Sequence, residues 1–368
     1  MVESERIGIQ ALYALGCSRQ RAWLLTSRAT GRSLTHSRWC VGVAKIEPRR
    51  LETDLPGAIA DAAYESDATH VVADEVRPFL ALAELREKLT PAVAFPSPSA
   101  VQIHALDNKA TFKALGTAIG LPIAESVVIN AEKDVAHHGI RYPIVIKPAD
   151  SSGGSGVRYC TSEADLETEI SKWPSYPQLV ERYIQGTDVH LTFLADRGEL
   201  LAWEIHEPHS SESLRYRACR FFHDDQALKV GRDLAGAIGY TGIANLDFRR
   251  DKHGRLWLLE CNPRLYLRLG LAAKAGVNFL SLGLDLADGT RPRSPVAAHE
   301  GVVYNPLVLP VFLRPSRWRE LIKPATVGAA PIGLSDPALV AYLALRWVRR
   351  ATRSNRVPRK ARTASRPS

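Results

Sequence analysis

The stretch that decides the fold is IANLDFRRDKHGRLWLLECNPR, which spans residues 243–264. The polar run Asp251-Lys252-His253-Gly254 separates the apolar-rich segments IANLDFR (243–249) and RLWLLEC (255–261), which is typical of two strands joined by a tight turn. That turn pairs Arg250 with Arg255. The stretch therefore predicts an antiparallel β-hairpin.

The register of this hairpin decides which polar side chains meet. In the predicted register Asn245 faces Glu260, and Asp247 faces Leu258. Because successive side chains of a strand point to opposite faces, one face carries a polar cluster, namely Asn245, Asp247, Glu260 and Asn262. Asp247 is then a diagonal neighbour of Glu260, with about 7–8 Å between their backbones.

Two carboxylates and an amide thus converge between apolar neighbours. Like charges so close together are costly unless a cation lies between them, and ligands that are all oxygen suit Mg²⁺ or Mn²⁺ better than Zn²⁺. The alternative is a pair of solvated carboxylates on an exposed face. The hairpin alone leaves both interpretations open.

A second signal is Lys147, which ends the apolar strand PIVIKP (143–148) and precedes the glycine-rich run SSGGSG (151–156). Backbone N–H groups of so small a loop can approach an anion closely, and the lysine adds a point charge for phosphate oxygens. No helix with Gly-Lys-Ser/Thr follows, so the loop is not a Walker A motif. The alternative is an ordinary hairpin turn.

Lys109 is a third signal. It lies in the first turn of a helix predicted over 107–120 with Asp107 as N-cap, where the macrodipole disfavours a cation unless a phosphate is near. Surface lysines also occur at such positions, so Lys109 adds support only alongside the other signals.

A fourth signal is QLVERYIQGTD (178–188), which predicts a strand that breaks at Gly186 and resumes as VHLTF. An interrupted strand exposes backbone N–H and C=O groups that can pair with a purine edge, and Asp188 is a short acceptor for sugar hydroxyls. The alternative is a bulged strand followed by a turn.

The order of these signals resembles the ATP-grasp superfamily. A lysine at a helix start, a lysine before a glycine-rich loop and an E-x-Y-I-x-G-x-D segment precede Asp247, which is followed thirteen residues later by Glu-Cys-Asn-Pro-Arg. The resemblance extends over about 107–290, and LLECNPR with its upstream aspartate is its most specific part. It implies an ATP-grasp fold of α/β and α+β class, in which two α+β subdomains clamp ATP and a small Rossmann-like domain precedes them.

The resemblance also implies site residues by position. The phosphates would be contacted by Lys109 and Lys147, under a loop of Ser151, Ser152, Gly153, Gly154, Ser155 and Gly156. Glu181 and the backbone near Tyr183 would hold the adenine, and Asp188 would hold the ribose. One or two Mg²⁺ or Mn²⁺ ions would be held by Asp247, Glu260 and Asn262. Arg264 would face the transferred phosphoryl group or the substrate carboxylate, which makes Arg264 and Lys147 the catalytic residues.

The implied chemistry is attack of a substrate carboxylate on the γ-phosphate of ATP. The resulting acyl phosphate is converted by an amine to an amide, with release of ADP and phosphate. Such a ligase works mainly by positioning and charge neutralisation, so no nucleophilic Ser or Cys is required. Two alternatives stay open: a bicarbonate-activating carboxylase or carbamoyl-type enzyme, and a non-catalytic ATP-binding scaffold docked through a basic tail.

Charge is distributed unevenly along the 368 residues. The formal net charge is +9, and residues 346–368 contain nine Lys and Arg residues but no Asp or Glu, so the remainder is formally neutral. This segment is predicted to be a disordered tail, either a foothold on acidic lipid or RNA or a solvated terminus. The predicted organisation has four segments: a Rossmann-like domain at 1–105, the ATP-grasp domain at 106–292, a C-terminal extension at 293–345 and the basic tail at 346–368.

The rest of the composition excludes several classes of protein. The five cysteines are odd in number and widely spaced, which predicts neither a disulfide framework nor a zinc site. No apolar run approaches the roughly 18 residues of a membrane span, and the N-terminus does not resemble a secretory signal. The predicted compartment is therefore the cytoplasm.

Overall fold

The computed structural model describes residues 1–27, 33–131, 134–135, 139–150, 156–170, 172, 176–209, 218–304, 336–339, 341–342 and 345. The predicted tail at 346–368 and most of the predicted extension after Tyr304 lie outside the described residues. Within the described part of the chain, no helix has the length and hydropathy needed to cross a bilayer.

The first hundred or so residues alternate short strands and helices. The elements are α1 (Glu5–Cys17), β1 (Ala22–Ser27), β2 (Cys40–Ile46), α2 (Pro48–Thr53), α3 (Leu55–Glu65), β3 (His70–Val71), α4 (Val76–Leu85), β4 (Val93–Ala94) and α5 (Ala100–Asp107). Strands β1 and β2 pair in parallel, as do β3 and β4. Beyond β3, the Asp74 side chain accepts hydrogen bonds from the backbone N–H groups of Glu3 and Ser4.

The helix predicted over 107–120 begins one residue later than expected. Asp107 is the last residue of α5, and the next helix, α6, spans Lys109–Ala118. Asn108 is its N-cap, since the Asn108 side chain accepts hydrogen bonds from the N–H groups of Ala110 (2.9 Å) and Thr111 (3.2 Å). The prediction of Asp107 as N-cap is therefore wrong, whereas Lys109 does lie in the first turn.

A small antiparallel sheet follows α6. Its elements are β5 (Ser126–Ile129), β6 (Ile144–Pro148), β7 (Arg158–Cys160), α7 (Glu163–Ile170) and β8 (Gln178–Arg182). The strand order is β5-β8-β6-β7. Strands β6 and β8 match the strands predicted at PIVIKP and QLVER, and Lys147 lies near the end of β6 as expected.

A larger sheet forms the second half of the chain. Its elements and neighbouring helices are β9 (Gly186–Asp196), β10 (Glu199–Pro208), β11 (Ala218–Phe221), α8 (Asp225–Ile238), β12 (Gly242–Asp251), β13 (Leu256–Asn262), α9 (Leu269–Lys274), α10 (Phe279–Ala287), β14 (Val296–Ala297) and β15 (Gly301–Tyr304). The strand order is β13-β12-β9-β10-β11-β15, with β14 beside β10. Helix α8 is capped at its C-terminus by Gly239, whose φ of +59° is the left-handed conformation that glycine adopts most readily.

The predicted hairpin is present, but its register is wrong. Asn245 pairs with Asn262 instead of Glu260, and Asp247 pairs directly with Glu260 instead of Leu258. The loop is one residue longer than predicted because the Asp251 side chain accepts hydrogen bonds from the N–H groups of His253 and Arg255. A β-bulge between Asp247 and Phe248 adds the second residue of the shift.

The N-terminal elements share a core with helices that follow the hairpin. Helix α9 packs against α1, and Gly270 of α9 lies so close to Tyr13 that a Cβ at this glycine would be 2.6 Å from the ring. Phe279 and Leu280 of α10 belong to the same buried cluster as Phe79 and Phe95. Residues 265–287 therefore connect the large sheet to the N-terminal elements.

Candidate active site

Lys109 and Lys147 lie beside the acidic face of the hairpin, although they come from different elements. Lys109 Nζ is 3.9 Å from Glu260 Oε2, and both lysines are less than a tenth exposed. Burial lowers the pKa of Lys109; the Glu260 carboxylate opposes this shift, and the charge of Lys147 adds to it. Two lysines and a carboxylate that are far apart in the sequence thus occupy one electrostatic environment.

Glu181 lies between two lysine ammonium groups, one of which the sequence did not single out. Its Oε1 atom is 3.4 Å from Lys147 Nζ, and its Oε2 atom is 2.5 Å from Lys113 Nζ. Lys113 also donates a hydrogen bond to the Leu258 carbonyl at 3.1 Å. Burial lowers the pKa of Lys113, and Glu181 opposes the shift. Lys113 therefore connects α6 to one strand of each sheet.

The corrected register brings the two predicted carboxylate ligands closer together than expected. Directly opposed residues of an antiparallel pair have Cβ atoms about 4.5–5.5 Å apart. The Asn262 amide Nδ2 lies 3.4 Å from Asp247 Oδ2 and 3.4 Å from Glu260 Oε1. Asn245 donates to Asp247 Oδ1 at 2.7 Å. All four residues of the predicted polar cluster therefore share one face.

His190 sets the charge of Asp247. Burial by itself would raise the pKa of Asp247, but the imidazole of His190, with Nδ1 2.6 Å from Oδ1, outweighs burial and holds that pKa at about 2. The pKa of Glu260 is raised by burial and then by the Asp247 charge. One carboxylate is therefore held ionised, while burial and the Asp247 charge oppose ionisation of its neighbour more than Lys109 and Lys147 favour it.

The donor set fits a hard divalent cation. Asp247 and Glu260 supply carboxylate oxygens, and Asn262 supplies an amide. Among the residues that the structure describes, no group of three or more His, Cys, Asp or Glu side chains could hold a metal. Two carboxylates and an amide suit Mg²⁺, which is commonly held by one or two carboxylates and keeps several waters.

The segment predicted to contact adenine and ribose has the expected break. Strand β8 ends at Arg182 and β9 begins at Gly186, where a Cβ would lie 1.8 Å from the Arg250 carbonyl oxygen. The N–H of Tyr183 donates to the Pro143 carbonyl at 3.0 Å, so this group is already used. Asp188 is paired with Arg249, with Oδ1 and Nε 3.2 Å apart.

The glycine-rich loop is described only at its end. Residues 151–155 (Ser151, Ser152, Gly153, Gly154 and Ser155) lie outside the described residues. Gly156 has φ +74°, and a Cβ there would lie 2.8 Å from the Pro148 ring. Both features require glycine at the point where the loop enters β7.

Arg264 lies next to the acidic face and contacts the N-terminal elements. Its Nε atom is 3.1 Å from Glu75 Oε2, and its Nη2 atom donates to Asn262 Oδ1 at 3.3 Å. Sequence reasoning did not find Glu75, Lys113 or His190. A signal existed for Lys113, because its spacing of four from Lys109 places both on one helix face.

We expect Lys113→Met to weaken ATP binding about 10- to 100-fold, the usual effect of removing a residue that orients a binding group. Without Lys113, the Glu181 carboxylate has Lys147 as its remaining cationic partner, and this tighter pairing would hold Lys147 back from the phosphate that it is predicted to contact. The measurement is the Kd for ATP by calorimetry, alongside a thermal melt. Lys229→Met, in the exposed pair with Asp233 on α8, is the control. An unchanged Kd for the folded Lys113 variant would contradict this role.

Comparison with known proteins supports the fold. Residues 175–308 match the family model described as ATP-grasp in the biosynthetic pathway with Ter operon. Residues 108–202 match the model of the carbamoyl-phosphate synthase L chain, ATP binding domain. The chain belongs to the ATP-grasp superfamily.

Individual relatives are more distant. A D-alanine–D-alanine ligase from Chromohalobacter salexigens is 29% identical over 204 residues, which are 50% of this chain and 65% of that protein. A biotin carboxylase from Campylobacter jejuni, solved with β-γ-ATP, has a TM-score of 0.65 at 18% identity and covers 81% of this chain and 72% of its own. The biotin carboxylase domain of a Hydrogenobacter thermophilus 2-oxoglutarate carboxylase, solved with MgADP and bicarbonate, has a TM-score of 0.63 at 18% identity, with 81% and 71% covered. This chain therefore spans slightly less than two thirds of the length of the ligase. The two solved structures have the same ATP-grasp fold as this chain.

Proposed function

We propose that this protein is an ATP- and Mg²⁺-dependent ligase that activates a substrate carboxylate as an acyl phosphate and transfers the acyl group to an amine. The observation that carries this proposal is the meeting of two buried lysines with an oxygen-rich acidic face, 3.9 Å apart at Lys109 and Glu260. Such a site suits a polyphosphate with its divalent cation, since the lysines attract phosphate oxygens and the carboxylates attract the metal. The similarity to a D-alanine–D-alanine ligase supports ligation as the reaction class.

The proposed roles follow the site. The phosphates are contacted by Lys109, Lys147 and the loop at 151–156. Adenine borders Glu181 and the backbone beside Tyr183, and the ribose lies near Asp188. Mg²⁺, or Mn²⁺ in its place, would be held by Asp247, Glu260 and Asn262 and would supply positive charge to the phosphate oxygens. In the same proposal residues 1–105 form a domain of their own, 106–292 form the ATP-grasp domain and 293–345 form an extension.

The chain's own residues act mainly by position and charge. Lys109 and Lys147 hold the phosphates so that the substrate carboxylate can attack in line, and they balance the charge on the transferred group. Arg264, fixed by its contacts with Glu75 and Asn262, faces the reacting carboxylate. The acyl phosphate then reacts with an amine, and phosphate leaves.

The test is release of ADP by the full chain with Mg²⁺ and ATP, in the presence of pools of small carboxylic acids and amines. We expect ADP release to require an acid and amide formation to require both substrates. With an acid labelled by ¹⁸O in its carboxylate, one labelled oxygen should appear in the released phosphate, because the carboxylate oxygen stays bonded to phosphorus.

Three outcomes would contradict the proposal. ADP release that no acid stimulates would exclude carboxylate activation. Stimulation by bicarbonate alone would instead indicate a carboxylase or carbamoyl-type enzyme. ATP binding without any turnover would support a nucleotide-binding scaffold.

A further inference from the structure

The contact between Glu75 and Arg264 joins the N-terminal elements to the reacting end of the site. Arg264 follows β13, two residues after Asn262, and three contacts fix its guanidinium. Nε is 3.1 Å from Glu75 Oε2, Nη1 donates to the Leu265 carbonyl at 3.1 Å, and Nη2 donates to Asn262 Oδ1 at 3.3 Å. Arg264 therefore bridges the Glu75 carboxylate and Asn262, one of the predicted metal ligands.

No interaction of the Glu75 side chain with its own helix explains its position. It is the N-cap residue of α4, yet its side chain makes no capping hydrogen bond. The carboxylate extends away from the helix to Arg264, and its side chain is 27% exposed. Since only one carboxylate oxygen is paired with Arg264 in the described structure, the other can accept a hydrogen bond from a ligand.

We propose that Glu75 is a catalytic residue that binds the attacking amine and accepts its proton. This inference rests on the proposed ligase function and deepens it by naming the residue that serves the second substrate. The amine arrives as an ammonium ion and would lie between the Glu75 carboxylate and the acyl phosphate beside Arg264. An acidic acceptor site of this kind takes primary amines in their cationic form.

The proton balance of the second step requires such a base. The ammonium ion, R–NH₃⁺, gives one proton to Glu75, and the freed lone pair forms the N–C bond with the acyl carbon. The C–O bond to phosphate breaks, and a second proton from nitrogen goes to the departing phosphate, which leaves as HPO₄²⁻. Glu75 then returns its proton to water, so each turnover releases one proton.

The surroundings suit Glu75 to proton transfer near neutral pH. Burial raises the pKa of Glu75 to about 7, and a base works best when its pKa is close to the working pH. Arg264 opposes the shift, and three carboxylates add to it, those of Asp74, Glu3 and Asp107. The pKa of Asp107 is also raised by burial, so Asp107 is the competing candidate for the same role.

The experiment compares a cationic nucleophile with a neutral one. Ammonium must lose a proton before it attacks, whereas hydroxylamine is a free amine near neutral pH and gives a hydroxamate without a base. The full chain is supplied with Mg²⁺, ATP, the pool of small carboxylic acids and either ammonium chloride or hydroxylamine. The variants are Glu75→Gln, Glu75→Ala and Asp107→Asn, with Glu199→Gln as the control because Glu199 is an exposed glutamate of β10 that pairs with Arg291.

For Glu75→Gln we expect amide formation from ammonium to fall about 10²- to 10⁴-fold, the usual contribution of a general base. Hydroxamate formation and the Kd for ATP should stay close to wild type, because the glutamine oxygen can still accept from Arg264. The acidic limb of the wild-type pH–rate profile near 7 should be absent from this variant.

Each other result overturns the inference in a distinguishable way. Equal activity of Glu75→Gln and wild type with ammonium would exclude Glu75 as the base, and a selective loss in Asp107→Asn would assign the role to Asp107. Equal loss of both products in Glu75→Gln and in Glu75→Ala would show that Glu75 only positions Arg264. A wild-type protein that forms neither product would instead count against the ligase function.

Discussion

Glu260→Gln should lower the rate of acid-dependent ATP turnover about 10²- to 10³-fold, the usual loss when one preorganised electrostatic group is removed from an active site. Glu260 is directly opposite Asp247, and its Oε2 atom lies 3.9 Å from Lys109 Nζ. The amide keeps the shape of the side chain but removes the charge that a divalent cation requires. Turnover is measured over a range of Mg²⁺ concentrations, and the half-saturating concentration should rise.

The same substitution should leave the free energy of unfolding nearly unchanged, which separates a functional carboxylate from a structural one. Burial and then the Asp247 charge disfavour a charged Glu260 and raise its pKa, so removing the charge relieves both and offsets the lost attraction to Lys109. Glu207→Gln is the matched control, because Glu207 lies on the same sheet in an exposed pair with Arg220. Wild-type turnover in Glu260→Gln would contradict the metal site.

The polar face of the hairpin was predictable because its alternation survived the error in register. The longer loop at Asp251 and the β-bulge after Asp247 each shift the pairing by one residue. Because side chains alternate between the two faces of a sheet with a period of two, two shifts of one residue each return every side chain to its predicted face. Asp247 and Glu260 therefore share a face in both registers, and only their separation was wrong.

The partners of these residues could not be predicted, because packing between distant elements creates them. His190 contacts Asp247 only because β9 pairs with β12, and no local pattern encodes that pairing. Glu75 meets Arg264 across the boundary where helices α9 and α10 share a core with the N-terminal elements. The pKa shifts of buried charges could not be predicted either. Burial lowers the pKa of Lys113, and the sequence does not indicate how deeply this side chain is buried.

The largest expected effect on stability concerns a polar band that extends across the large sheet from the hairpin. Asp247 pairs with His190, and His190 pairs in turn with His206 of β10. The two imidazole rings stack with centroids 4.8 Å apart. His206 Nδ1 lies 2.9 Å from Glu204 Oε2, and Tyr266 donates to Glu204 Oε1 at 2.8 Å. Glu204 is thus a fully buried carboxylate that accepts hydrogen bonds from two side chains, those of His206 and Tyr266.

We expect Glu204→Ala to lower the free energy of unfolding by about 3–5 kcal/mol, because removing one partner leaves a buried charge on His206 and a buried hydroxyl on Tyr266 without an acceptor. Urea unfolding measures the change. The control is Asp225→Asn, which disrupts the exposed His223–Asp225 pair and should cost at most about 1 kcal/mol. A loss for Glu204→Ala no larger than that of the control would contradict the prediction.

The same pair makes stability depend on pH in a defined direction. Burial alone would lower the pKa of His206, but Glu204 and then Cys219 outweigh burial and raise it from 6.5 to about 10. A raised pKa in the folded state means that the stabilisation is fully present below pH 6.5 and is lost as the pH rises towards about 10. Glu204→Gln keeps an acceptor for Tyr266 but removes the charge, so the unfolding free energy of this variant should vary much less over that range. A wild-type protein whose stability rises between pH 6.5 and 10 would show that His206 is neutral in the folded state.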